Sequence, residues 1–202
     1  MLEFVSYDPS MSLMKYIFVD LDECLLHAKY AGNANRNVEK FKRIAKREQN
    51  YGPSFLLDCG EVYSTKLRPG ALDLLKRLRD VYGSENVRML TASVREYAEK
   101  NNEAHGLGWR PNQILTRENM NKMNFGIKDE IVPFEPGYVA LIDNLYHRDN
   151  LSKLQYLHPL VVRGFVSYVN VPEYWGHEDD FPFDEEYINQ VFKRIEDGFL
   201  QT

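Results

Sequence analysis

Residues 16–27 read YIFVDLDECLLH. Tyr16 to Val19, with Leu21, suit a strand buried on both faces, where apolar side chains run on without alternating. Asp20, Asp22 and Glu23 stand where that run stops, and Leu25 and Leu26 follow at once. A helix cap or a solvated loop is the plain reading of acids after a strand. Folding alone gives no reason to set three of them between apolar residues.

Three further apolar runs resemble the first: VRML at 87–90, YVALI at 138–142 and VVRGFVSYV at 161–169. Helical patterns lie between them. In ALDLLKRLRDVYG (71–83), Leu72, Leu75, Leu78 and Val81/Tyr82 recur at three- and four-residue spacing, and Gly83 is a natural stop. SVREYAEKNNEAHG (93–106) reads as a second helix closing on Gly106, with Ser93 better placed than Thr91 to cap it. EEYINQVFKRIEDGFL (185–200) reads as a third, with Ile188, Phe192 and Ile195 on one face. Strands alternating with helices imply an α/β protein: a three-layer sandwich with helices on both faces of a central, mostly parallel sheet.

Residues 28–66 interrupt the alternation. NVEKFKRIAKRE (37–48) predicts a helix with Val38, Phe41 and Ile44/Ala45 on one side and Lys40, Lys42, Arg43, Lys46 and Arg47 around the other. SFLLDCGEVYSTKL (54–67) alternates on both sides of Asp58-Cys59-Gly60 and predicts a β-hairpin. Residues 1–202 therefore read as one domain, with 28–66 a small cap-like insertion over the end of the first strand.

A hydrophobic fraction of 44%, with 13 Tyr and 11 Phe, supports a sizeable core rather than disorder. The net charge of -5 removes a global basic field for holding nucleic acid, though a local basic patch is compatible with it. Cys24 and Cys59 make no disulfide framework. The first residues lack the pattern of a secretory signal, and no segment reaches the roughly 18–20 apolar residues of a membrane helix. A soluble, cytoplasmic protein is expected.

In an open parallel sheet, ligands bind beyond the carboxyl ends of the strands. Asp20 and Asp22 end the first strand, Thr91 and Ser93 follow the second, and Asp143 and Asn144 follow the third. Acids, hydroxyls and an amide at one sheet edge suit metal-assisted phosphoryl transfer. Mg²⁺ prefers oxygen ligands and needs only one or two carboxylates. A carboxylate can serve as nucleophile, a second acid two residues on can serve the leaving oxygen and the water, and a lysine can offset charge on the phosphoryl oxygens.

At these residues the chain resembles a known family. DLDECLLH is similar to the DxDx[TV]L signature of the haloacid dehalogenase (HAD) superfamily, in the form found in RNA polymerase C-terminal-domain phosphatases, the NLI-interacting-factor-like family. STKLRPGALDLLKRL, RMLTASVREYAEK, LTRENM with GIKDEI, VALIDN and VNVPEYWG resemble the family's other segments in the expected order, from about residue 15 to residue 200. The resemblance implies a Rossmann-like fold and a Mg²⁺-dependent phosphatase working through an aspartyl-phosphate. Asp20 would be nucleophile and metal ligand. Asp22 would be general acid and base, with its carbonyl on the metal. Thr91 and Lys128 would hold the phosphoryl group, joined at the substrate by Ala92, Ser93 and Arg117. Asn144 would supply a metal ligand, and Asp143 would coordinate the metal through water or orient Lys128. Lys128, fifteen residues before Asp143, is preferred to Lys122, and Glu23 has no catalytic role in the family.

Two departures stand out: Cys24 replaces Thr or Val, and Leu145-Tyr146 replaces Ser-Pro. The substrate implied is phosphoserine or phosphothreonine in a protein or peptide. A nucleotide or nucleic-acid end held by the basic helix is the alternative within enzymes, and a non-catalytic phospho-ligand module is the alternative outside them. The basic helix itself reads as a solvated face or as a substrate or partner surface. His27 reads as a packing residue, and the acids of HEDDFPFDEE (177–186) as a solvated loop and helix start.

Overall fold

In the computed structural model the described residues are 14–121, 137–144, 166–177 and 179–200. Five parallel strands form the central sheet: β1 (Met14–Val19), β5 (Val87–Leu90), β6 (Ile114–Leu115), β7 (Gly137–Asp143) and β8 (Val166–Asn170), in the order β6-β5-β1-β7-β8. Ile17, Phe18 and Val19 are at most 1% exposed, which is why that run does not alternate. The chain leaves β1 to build β5 and β6 on one side and returns to build β7 and β8 on the other. The crevice at such a reversal is where open α/β sheets bind ligands. The last predicted strand is described only from Val166.

Helix α2 (Ala71–Tyr82) buries Ala71, Leu74, Leu75, Leu78 and Tyr82 against β1 and β5, and α5 (Glu185–Leu200) packs on β7 and β8. The two helices meet where Tyr82 stacks on Phe192, with ring centroids 5.8 Å apart. Helices α3 (Arg95–Ala104) and α4 (Arg117–Asn121) lie on β6. Gly83 stops α2 as expected, its N–H donating to Arg79 O at 2.9 Å. No helix among the described residues is long and apolar enough to cross a membrane.

The insertion differs from the expected helix and hairpin. The hairpin is present as β3 (Ser54–Leu56) and β4 (Glu61–Leu67), and α1 (Val38–Glu48) is present with Asn37 capping it. A further strand, β2 (Leu26–Asn33), pairs along nearly all of β4 to give an antiparallel sheet β2-β4-β3. LHAKYAGN has little β-propensity of its own. It becomes a strand because it pairs with the edge of β4 opposite β3, with a bulge between Tyr30 and Gly32. Helix α1 seats Phe41 and Ile44 over Ala31, Ala34 and Val62.

Arg68 binds these parts together. It is 1% exposed and donates to the carbonyls of Cys24 (3.0 Å), Pro172 (2.9 Å) and Phe181 (2.7 Å), with its guanidinium 4.3 Å from the Phe183 ring. The turn after β1, the segment after β8 and the approach to α5 are thereby held by one side chain.

Candidate active site

The end of β1 fixes the first residue of the site. Val19 stands opposite Met89 of β5 and Ile142 of β7, and the Asp20 N–H continues that ladder to Ile142 O at 2.9 Å. Asp20 is 2% exposed. The chain then turns sharply. The N–H groups of Leu25 and Leu26 donate to Leu21 O at 3.0 and 3.2 Å, and that of Glu23 donates to Leu26 O at 2.6 Å. Glu23 sits in the left-handed region at φ +60°, a conformation that costs a non-glycine residue about 1 kcal/mol. Tyr174 N–H donates to Glu23 O at 2.7 Å and Arg68 to Cys24 O, so the turn is pinned from outside.

Asp22 emerges from this turn towards the second strand end. Ser93 Oγ donates to Asp22 Oδ2 at 2.6 Å, and Tyr97 OH donates to Asp22 Oδ1 at 2.5 Å. Burial, with the neighbouring Asp22 charge and hydrogen bond, pushes the Tyr97 phenol far above its usual range, so it stays a donor. This corrects the expectation for Ser93, which does not cap α3. The helix begins later, at Arg95, whose N–H is met by the carboxylate of Glu118 at 3.2 Å. A hydroxyl facing a carboxylate gains a charge-assisted bond, stronger than a neutral cap. Thr91 is buried. Its N–H donates to Leu115 O at 2.9 Å, and its Oγ1 accepts from Ser93 N–H at 3.1 Å. Arg117 Nε donates to Ala92 O at 2.8 Å, bringing those two residues and Ser93 to one rim.

The third strand end carries Asp143 and Asn144, 1% and 5% exposed. Asn170 Nδ2 donates to Asn144 O at 3.2 Å, and Val171 N–H donates to Asp143 O at 3.0 Å. Asn144 Nδ2 is 3.4 Å from Glu23 Oε2. Lys128, and Lys122 with it, lie outside the described residues.

An open cleft of about 380 Å³ borders this edge, lined by Asp22, Glu23, His27, Tyr63, Ser93 and Arg117 among others. Burial lowers the His27 pKa from its ordinary 6.5 despite the nearby Asp180 and Asp22. Two residues the sequence reading did not assign thus enter the site: Glu23, beside Asn144, and Tyr97, on Asp22. Tyr97 lies in the first turn of α3 and Ser93 just before it, and both hydroxyls reach Asp22.

Among the described residues, no three His, Cys, Asp or Glu side chains form a metal cage. The set at the strand ends is instead two carboxylates and an amide oxygen. Asn144 Oδ1 is buried and accepts no hydrogen bond among the described residues. A buried acceptor left so costs about 1–3 kcal/mol, which a hard cation would offset. These residues fit Mg²⁺, which keeps several waters and does not require a full protein cage.

The family model for NLI interacting factor-like phosphatase matches residues 15–154. No curated protein matches the chain by sequence. Among solved structures, the chain is similar to Fcp1, described as an essential RNA polymerase II CTD phosphatase, at 18% identity and a TM-score of 0.50, covering 93% of this chain and 49% of that one. A likeness to the HAD domain of the effector protein Lem4 from Legionella pneumophila has 12% identity and a TM-score of 0.47, with 92% and 97% coverage. The chain spans about half the length of the Fcp1 structure it matches, and the likeness to Fcp1 shows the fold.

Proposed function

The chain belongs to the NLI interacting factor-like phosphatase family, and from that premise we propose that it hydrolyses phosphate monoesters through an aspartyl-phosphate on Asp20. The observation that carries this reading is the convergence of three strand ends, with buried Asp20, Asp143 and Asn144 beside an Asp22 held at both oxygens by Ser93 and Tyr97. The Asp20 carboxylate attacks phosphorus as the bond to the ester oxygen breaks, and Asp22 gives its proton to that oxygen. Asp22 then takes a proton from the water that attacks the acyl phosphate, freeing Asp20 and inorganic phosphate. Thr91, Ala92, Ser93, Arg117 and Lys128 orient the phosphoryl group. Asp20, the Asp22 carbonyl, Asp143 and Asn144 would hold Mg²⁺, which when bound would neutralise phosphoryl charge. The substrate is phosphoserine or phosphothreonine in a protein, a choice supported by the family and by a cleft open enough for a polypeptide.

Phosphate release from a small aryl phosphate tests this reading. The wild-type chain is expected to turn over with Mg²⁺ and to stop with a chelator, and Asp20→Asn is expected to be inactive. Near-wild-type release by Asp20→Asn would refute the assignment. No release by the wild type with Mg²⁺ present would favour a phospho-ligand binding module instead.

A further inference from the structure

Helix α1 carries five cations, Lys40, Lys42, Arg43, Lys46 and Arg47, against Glu39 and Glu48. That is a local charge of +3 in a chain of -5, so the remainder carries -8. The two acids are already engaged. Lys42 pairs with Glu39 at 2.8 Å, while Glu48 accepts from Lys29 at 2.9 Å and Arg47 at 2.7 Å. Lys40, Arg43 and Lys46 have no carboxylate partner among the described residues. Spacings of three and seven set Lys40, Arg43 and Arg47 along one stripe, where they line a hollow of about 420 Å³ with Asn37 and Ile44.

This hollow is separate from the catalytic cleft. Side chains alternate faces along a strand. In β4, Glu61 and Tyr63 line the cleft, while Val62 between them packs under Phe41 and Ile44 of α1. The insertion sheet thus has the cleft on one face and the basic helix on the other. A second hollow, about 710 Å³, borders Leu57, which also lines the cleft, and Phe41 of α1. It therefore adjoins the cleft at Leu57 and α1 at Phe41.

We infer that the exposed face of α1 is a docking surface for an acidic segment of a polypeptide whose phosphorylated residue occupies the cleft. Charge decides the occupant. The stripe is short, one helix of 11 residues, and the rest of the chain is acidic. A long nucleic acid would be attracted along α1 and repelled beyond it, whereas a short acidic segment meets only the cations. An anionic membrane is disfavoured because the apolar residues Phe41 and Ile44, which would enter it, are spent on the insertion sheet. The placement of the phosphorylated residue in the cleft rests on the phosphatase reading, whereas the binding of an acidic segment to α1 does not.

The test uses the full chain and a fluorescent octapeptide of Glu, with a Gln octapeptide as control. Anisotropy is expected to show binding of the Glu peptide alone. The triple variant Lys40→Gln/Arg43→Gln/Lys46→Gln, checked for an unchanged circular dichroism spectrum, is expected to bind about ten-fold more weakly, the sum of three exposed ion pairs. Charge reversal, Lys40→Glu/Arg43→Glu/Lys46→Glu, is expected to transfer binding to a Lys octapeptide. In kinetics, the triple Gln variant should raise KM about ten-fold for a phosphopeptide with an acidic tail and leave kcat and aryl phosphate turnover unchanged. Equal binding of the Gln peptide, or binding by the triple variant within two-fold of wild type, overturns the proposal. So does tighter binding of an octanucleotide or anionic vesicles than of the Glu peptide, or self-association that the triple variant abolishes. If the wild type fails on the aryl phosphate, the phosphatase reading falls while anisotropy still decides the docking surface.

Discussion

Asp22 is held at both carboxylate oxygens, by Ser93 Oγ at 2.6 Å and Tyr97 OH at 2.5 Å. Tyr97 also packs edge-on against Phe55 and Tyr63, with centroids 5.7 and 5.5 Å away, so Tyr97→Phe keeps the packing and removes one hydroxyl. A hydrogen bond to a charged group contributes about 1.5–3 kcal/mol. Tyr97→Phe and Ser93→Ala are each expected to lower kcat for an aryl phosphate about 10- to 100-fold with little change in KM. An unchanged kcat in both would show that Asp22 needs neither. At this scale the sequence was legible where a residue type has one use and less so where it has several. Asp20 and Asp22 could be placed at the end of the first strand from position alone, while their roles were read from the family resemblance. Ser93 could not, because a serine before a helix is equally a cap, and only the carboxylate across the cleft decides between the two.

The elements of the central sheet follow from their patterns, because β1, β5 and β7 are apolar runs with no other stable place than a buried sheet. The strand β2 was not legible, since its pairing comes from β4 and not from its own residues. The joint between the start of α2 and the approach to α5 depends on Gly70, at φ +79°, where an added Cβ would collide with Phe183 O. Gly70→Ala combines that clash with a left-handed backbone. It is expected to cost about 3 kcal/mol, a fall of roughly 6–12 °C in Tm by calorimetry, and a fall under 2 °C would show that the joint yields freely. The attachment of α1 carries its own pH dependence. Hydrogen bonds from Lys29 and then Arg47 hold the Glu48 carboxyl below its ordinary 4.5. A depressed carboxyl stabilises the fold above its unfolded pKa, and that contribution is lost as pH falls through the folded value. Hydrogen exchange of α1 amides should therefore quicken below pH 4.5 in the wild type, relative to the core, and much less in Glu48→Gln. The same acid dependence in both would place the sensitivity elsewhere.

Across the molecule, the segments that carry chemistry are far apart in sequence and meet only because β1 lies between β5 and β7. The alternation of strands and helices implied a parallel sheet, whereas the order of its strands comes from the structure. The path of the insertion over the cleft was not implied, since it depends on pairings between polar strands. One consequence reaches the whole fold. A cation held, as proposed, by three strand ends would tie them to one another, so binding should stabilise the folded chain irrespective of turnover. At a tenfold excess over Kd the stabilisation is about 1.4 kcal/mol, and for a chain of this size that raises Tm by roughly 3–6 °C. Asn144→Ala removes the buried Oδ1, which accepts no hydrogen bond among the described residues, and leaves both carboxylates in place. Thermal unfolding of the Mg²⁺-free chain, titrated with Mg²⁺, is expected to show this rise in the wild type and a midpoint at least ten-fold higher in metal for Asn144→Ala. Identical titrations for the two chains would remove Asn144 from the metal site and leave the strand ends joined by hydrogen bonds alone.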